Sequence, residues 1–207
     1  MHDIEGIAAP LVIDNLDTDQ IMPKQFLRII DKAGLANGVL YDLRFAPGGM
    51  PRPEFILNRP AWRGARILIG GANFGCGSSR EHAVWGMQQL GIDAIIAPSF
   101  AEIFFGNALN NRLLLVTLAQ DQVDALAAEA AVPSSNRVRI DLDAMTVRAA
   151  SGQTFSFSLG ARHRKMLVEG LDMTGATLQH LDEIEAFELR HDARAPWTRM
   201  AWPRTAT

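Results

Sequence analysis

The chain has 207 residues, 48% of them apolar and 21% charged, with a formal net charge of −3 and one cysteine. This predicts a globular fold with a sizeable core and no global basic field for nucleic acid or an anionic membrane. A lone cysteine forms no internal disulfide and alone holds neither an iron–sulfur cluster nor a structural zinc. No apolar run approaches the roughly 18 residues of a membrane span, no leader pattern opens the chain, and the cytoplasm is the expected compartment. "IAAPLVI", Ile7 to Ile13, reads as a short strand whose proline favours an edge or a strand start. "DNLDTDQIMP" follows as a polar loop. "KQFLRIIDKAGL" has helical character and stops near Gly38. Arg44 to Pro60 holds four of the ten prolines and two adjacent glycines, so it is expected to be a long exposed loop.

From Arg66 the chain alternates strands and helices. "RILIG", "DAIIA" and "LLLVTL" are buried strand candidates. Between and after them lie helices from about Ser79 to Leu90, from Ser99 to Asn111 with Ser99 as N-cap, and over "AQDQVDALAAEAA" up to Pro133. That alternation predicts βαβ units and a mainly parallel sheet. Beyond Pro133, "RVRIDL", "MTVRAA" and "TFSFSL" are alternating strands, with Ser151–Gly152 as a hairpin turn, and predict an antiparallel extension. "ARHRKMLVEGL" and "GATLQHLDEIEAFELRH" read as helices. The expected organisation is a single α/β domain over residues 1–191, then a basic C-terminal tail over 192–207.

The stretch "GGANFGCGSSREHAVW", Gly70 to Trp85, stands out. Four glycines and the only cysteine fall within eight residues, and two serines, an arginine, a glutamate and a histidine follow. "SSRE" fits a capping box, with Ser78 accepting from the Glu81 N–H, and the glycines would then serve a tight turn. That structural reading stays open. Against it, a turn needs one or two glycines, and bare backbone at a helix N-terminus favours an anion. Arg80 there matches a carboxylate or phosphate fork. The phosphate-loop pattern ending in Gly-Lys-Ser/Thr is absent. The dinucleotide fingerprint fails where Arg80 replaces its third glycine, so a carboxylate is the better ligand.

"NFGCGSSREHAVW" resembles the motif of the small subunits of 3-isopropylmalate dehydratase, relatives of the swivelling C-terminal domain of aconitase. "DNLDTDQIMPKQFL", "LYDLRF", "IAPSFAEIFFGNALNNRLL" and "EGLDMTGATLQ" agree, and the similarity runs from about Ile7 to His191. The resemblance implies a swivelling β/β/α domain and a hydro-lyase of leucine biosynthesis that interconverts 2- and 3-isopropylmalate. It also implies a large partner subunit that holds a [4Fe–4S] cluster, with no cofactor on this chain. By similarity, Ser78 is the base that removes the proton next to a substrate carboxylate. Ser79 lies beside it, Arg80 binds the carboxylate of a small dicarboxylate, and Asp19 sits at the active-site face. From the residues themselves, the bare backbone at Gly75 and Gly77 is expected to offer N–H groups to the anion. Arg44 lies on the segment resembling the substrate-recognition loop, with a solvated arginine as the alternative. Related dehydratases acting on methylmalate, dimethylmalate or homoaconitate remain alternatives, as does a non-catalytic ligand- or RNA-binding module.

Other residues have plainer readings. Cys76 is a small packing residue, with redox sensitivity as the lesser option. His82 is more simply a packed histidine than a proton shuttle. Trp85, Phe104 and Phe105 have helical spacing and read as core or interface. His2, His163, His180 and His191 show no metal-ligand spacing. "ARHRKM" reads as a solvated helix face. Two departures from the family pattern are Leu115, where a proline is usual, and the helix entry "GARHRKML".

Overall fold

In the computed structural model, which describes residues 2–27 and 33–198, seven strands make one sheet. They are β1 (Asp3–Leu11), β2 (Ile67–Gly70), β3 (Ala94–Ala97), β4 (Leu114–Thr117), β5 (Arg137–Asp141), β6 (Thr146–Arg148) and β7 (Thr154–Ser156). Their order is β4-β3-β2-β1-β5-β6-β7. The pairs from β1 to β4 are parallel, and those from β1 through β5 and β6 to β7 are antiparallel. The mainly parallel half and its antiparallel extension are therefore as the alternation predicts.

β1 is central, not an edge. Its first half, Asp3 to Ile7, pairs with β5, and its second half, Ala8 to Leu11, pairs with β2. Pro10 falls in the second half, beyond the last residue paired with β5, so its missing N–H costs no bond on that side. β4 is the edge of the parallel half, and Leu115, where the family pattern has a proline, packs into the core from it.

Both faces of β2, β3 and β4 are covered, which explains their unbroken apolar runs. Ala9, Leu68, Ile95 and Leu115 point to one core with Val84 and Met87 of α3 (His82–Gln89) and Phe104 of α4 (Glu102–Asn110). Ala8, Ile67, Ile69, Ala94, Ile96, Leu114 and Val116 point to the other. There they meet Val123 and Leu126 of α5 (Gln120–Ala130), Leu167 of α6 (Ala161–Glu169) and the inner residues of β5, β6 and β7. The Ser151–Gly152 turn is present, with Gly152 at φ 92° and its N–H bonded to Ala149 O at 3.0 Å.

Local readings differ in several places. Residues 14–23 are not all loop: α1 (Thr18–Ile21) forms behind an Asp17 N-cap whose side chain accepts from Gln20 N, while the Gln20 side chain accepts from Asp17 N. Of the expected helix from Lys24, a 3₁₀ turn over Lys24–Phe26 is seen, and residues 28–32 lie outside the described residues. A short α2 (Tyr41–Arg44) precedes the proline-rich loop. Arg164, in the stretch read as a solvated face, instead donates to Leu142 O at 2.7 Å and to Asp143 Oδ1 at 2.6 Å.

The chain divides into two compact units, Met1–Asp172 and Met173–Thr207. The first holds the sheet and α1 to α6. The second holds α7 (Met173–Leu178), α8 (Leu181–Arg194) and a 3₁₀ turn over Pro196–Thr198. Residues 199–207 of the expected tail lie outside the described residues. Among the described residues no helix is long and apolar enough to cross a membrane.

Candidate active site

The glycine loop leaves the C-terminal end of β2, where open parallel sheets place their ligand sites. It is held between two other segments. On one side Asn15 N donates to Ala72 O, Gly75 N to Leu16 O and Thr18 N to Cys76 O, each at 2.8 Å. On the other, Asn73 N donates to Ser99 Oγ at 2.8 Å and Phe74 N to Ser99 O at 3.1 Å. Ser99 is therefore not the cap of α4, which starts behind Ala101. Its hydroxyl anchors the glycine loop.

The glycines mostly make room for protein. A Cβ on Gly71 would lie 2.5 Å from the Ile13 carbonyl, and one on Gly75 would lie 2.2 Å from the Phe104 ring. Gly75 also has φ 78°, and its N–H is already bonded to Leu16 O, which takes it out of the predicted anion site. Gly77, at φ 96°, keeps that role open: the N–H groups of Gly77, Ser79 and Arg80 meet no acceptor among the described residues.

The predicted capping box at "SSRE" does not form. α3 begins at His82, and its N-cap Glu81 makes no side-chain capping bond. Both partners are engaged elsewhere. Glu81 Oε1 accepts from Asn111 Nδ2, and Asn111 Oδ1 accepts from Trp85 Nε1 at 2.9 Å. Ser78 turns to Thr18: the two hydroxyl oxygens are 3.0 Å apart, and Ser78 N donates to Thr18 Oγ1 at 3.1 Å. Thr18 is only 1% exposed, whereas Ser78 is exposed. Ser78, an exposed residue, thus rests its hydroxyl on a buried one. Thr18 and Asn111 are the residues that sequence reasoning missed. Asp17 and Gln20, three apart in the capping pattern, are the signal for a turn that places Thr18.

Arg80 lies just before α3, not in its first turn. Its Nη1 pairs with Asp19 Oδ1, and its side chain is 19% exposed against 52% for Asp19. Nε and Nη2 carry no partner among the described residues. The segments that carry Asp19 and Arg80 also bring Thr18 to Ser78, so the two contacts share one junction. Ser79 is exposed, and its carbonyl accepts from Asn107 Nδ2 at 3.4 Å.

Arg44 makes no contact with that junction. Its Nη1 donates to Ala36 O and Val39 O, both at 3.2 Å, its guanidinium carbon lies 5.0 Å from the Phe45 ring centre, and its Nε is buried without a hydrogen-bond partner. Burial pushes its pKa below the ordinary value. The solvated alternative does not describe it: Arg44 ties its own loop to the preceding turn. Cys76 is half-buried and its thiol donates to Asn15 O at 3.3 Å. His82 leans on Trp85 with ring centres 4.8 Å apart. Phe104 is core, while Trp85 and Phe105 are half-buried.

Among the described residues no group of three or more His, Cys, Asp or Glu side chains is placed to hold a metal ion. The donor set of this chain does not fit an iron–sulfur cluster, which needs several thiolates where there is one.

A family model described as the aconitase C-terminal domain matches residues 1–121, and one described as the C-terminal domain of the 3-isopropylmalate dehydratase small subunit matches residues 173–201. The chain is 62% identical to 3-isopropylmalate dehydratase small subunit 1 of Chromobacterium violaceum, over 95% of this chain and 92% of that one. It is 48% identical to small subunit 2 of Salmonella typhimurium, over 97% of each. A crystal structure of 3-isopropylmalate dehydratase from Methanocaldococcus jannaschii superposes with a TM-score of 0.64 at 29% identity, covering 90% of this chain and 99% of that one.

Proposed function

The chain belongs to the family of 3-isopropylmalate dehydratase small subunits, and from that premise we propose how it contributes to catalysis. It works as one half of a hydro-lyase of leucine biosynthesis, together with a large subunit. The reaction removes water from 2-isopropylmalate and re-adds it with the opposite regiochemistry. A [4Fe–4S] cluster, expected on the large subunit, would supply Lewis acidity when bound. The complex works in the cytoplasm.

This chain's own residues bind the dicarboxylate and move the proton. Arg80, held by Asp19 at Nη1, offers Nε and Nη2 to a substrate carboxylate. The unpaired N–H groups of Gly77, Ser79 and Arg80 favour the same anion. The Ser78 oxygen takes the proton from the carbon next to that carboxylate. The C–H electron pair moves towards the carboxylate, whose developing charge Arg80 opposes. Asp19 orients Arg80. Arg44 acts through its loop, whose shape sets which alkyl group is accepted.

The observation that carries this reading is the shared junction. One turn, Asp17 to Gln20, fixes both Ser78, through Thr18, and Arg80, through Asp19. The test is reconstitution with the large subunit and assay with 2-isopropylmalate. The complex turns over, this chain alone does not, and Ser78→Ala abolishes turnover while the complex still assembles. Near-normal turnover by Ser78→Ala removes Ser78 from the base role, and turnover by the pure chain removes the two-subunit reading.

A further inference from the structure

Thr18 is one of two polar residues in the described chain that are buried, at 1% exposure. Its backbone is fixed on both sides, with N–H on Cys76 O at 2.8 Å and C=O taken by Met22 N at 2.9 Å. A β-branched side chain on a fixed backbone has little rotamer freedom. Its hydroxyl faces three groups of a single residue: Ser78 N at 3.1 Å, Ser78 Oγ at 3.0 Å and Ser78 O at 3.2 Å.

One proton and two lone pairs satisfy all three contacts in one arrangement, and rotation of the hydroxyl gives a second that gives up the bond to Ser78 O. In the first, Thr18 donates to Ser78 O, and its lone pairs accept from Ser78 N–H and from the Ser78 hydroxyl. This suits a neutral Ser78. In the second, Thr18 keeps the bond from Ser78 N–H but rotates its own O–H onto Ser78 Oγ. This suits a Ser78 oxygen that carries no proton or points its proton outward. The change is a rotation about one C–O bond, and no heavy atom moves.

We infer that Thr18 is a positioning residue for the base: its hydroxyl rotates to donate to Ser78 Oγ, stabilising the alkoxide and aiming its free lone pair at the substrate. Thr18 keeps its proton throughout. Ser78, which is exposed, gives its own hydroxyl proton to solvent to become the alkoxide. The proton it then takes comes from the substrate carbon and returns there or to the adjacent carbon on rehydration, which restores the alkoxide. A donor on the buried side matters because water does not reach that side of Ser78, and a hydrogen bond to the charged form of a group favours that form. Donors from the protein also need no reorganisation when charge develops. This inference rests on Ser78 acting as the base.

The test uses the reconstituted two-subunit enzyme with Thr18→Val, Thr18→Ser, Thr18→Cys and Ser78→Ala. Thr18→Val keeps the shape and removes the donor, so kcat falls on the order of 100-fold while KM stays within about threefold. The rising limb of the kcat–pH profile moves to higher pH, because the alkoxide then forms only in more alkaline solution. Thr18→Ser retains the hydroxyl and keeps both kcat and the limb near native. Native kcat and an unmoved limb in Thr18→Val, with Ser78→Ala inactive, overturn the role of Thr18 and leave Ser78 as the base. Activity in Ser78→Ala overturns the reading beneath it. A purely structural role lowers kcat in Thr18→Val and Thr18→Ser alike without moving the limb, and that also overturns the inference. Should Thr18→Val fail to assemble, Thr18→Cys decides, since a thiol fills the space but donates weakly: loss of kcat with a shifted limb supports the inference, and native behaviour overturns it.

Discussion

Asp19 is more exposed than the arginine it holds, and this places the pair at the rim of the junction with Arg80 reaching inward. Lysine at position 80 would keep the charge and the pairing with Asp19 but lose the planar fork. Arg80→Lys is therefore expected to lower kcat/KM about thirtyfold, the equivalent of about 2 kcal/mol for a lost charge-assisted bond. Steady-state kinetics of the complex with 2-isopropylmalate check it, and unchanged kinetics would argue against carboxylate binding by Arg80. At this scale the sequence was legible wherever residue type announced chemistry. The arginine beside the glycine-rich stretch points to an anion by itself, whereas the role proposed for Ser78 comes from the resemblance of the whole motif to its family. Thr18 carried no such signal, because a threonine in a polar loop has neither periodicity nor charge, and its importance comes from a hydroxyl of Ser78 sixty residues away. Asn111 was hidden for the same reason.

Among elements, strands were easier to read than helix starts. β2, β3 and β4 are apolar on both faces because helices cover both, so their runs are continuous. The starts of α3 and α4 lie later than Ser79 and Ser99, because the side chains that look like caps in the sequence bond across the fold. Ser78, Glu81 and Ser99 instead bond Thr18, Asn111 and Asn73, which only the folded chain brings near. The glycine loop itself is a tight fit. Gly75→Ala would meet both a left-handed φ of 78° and the Phe104 ring. It is expected to cost about 3 kcal/mol and lower Tm on the order of 10 °C, measurable by thermal unfolding. The β5–β6 turn has a pH signature. Asp141 accepts from Ala144 N and Asp143 N, both at 2.8 Å, and these bonds hold its carboxyl below the ordinary value of 3.8. The folded-state pKa is depressed, so the stabilisation is complete above about 4 and is lost as pH falls through the depressed value. The Tm advantage of the native chain over Asp141→Asn is expected to be constant near neutrality and to vanish in strong acid.

For the whole molecule, every fully buried hydrophobic residue described lies at or before Leu167, inside the first compact unit. A chain ending at Asp172 is accordingly expected to unfold cooperatively on its own, with a single thermal transition by circular dichroism; a broad, non-cooperative melt would show that the core needs the second unit. Fold class was readable because the change from βαβ alternation to hairpins at Pro133 mirrors the change from parallel to antiparallel pairing. What could not be read was that β1 serves both halves, since a strand's partners are not written in its own residues.

That double duty has a consequence during synthesis. β1 leaves the ribosome before the other strands of the sheet, and the strand that pairs with its first half, β5, is more than a hundred residues behind. Until then a growing chain displays an open strand edge, the kind that recruits other nascent chains into aggregates. The exposed positions of that edge carry Asp3 and Glu5, which later face Arg139 and Arg137 across the ladder at 3.2 and 3.9 Å. Before those arginines are made, the two carboxylates stand unpaired, and like charge on every copy keeps the edges of neighbouring nascent chains apart.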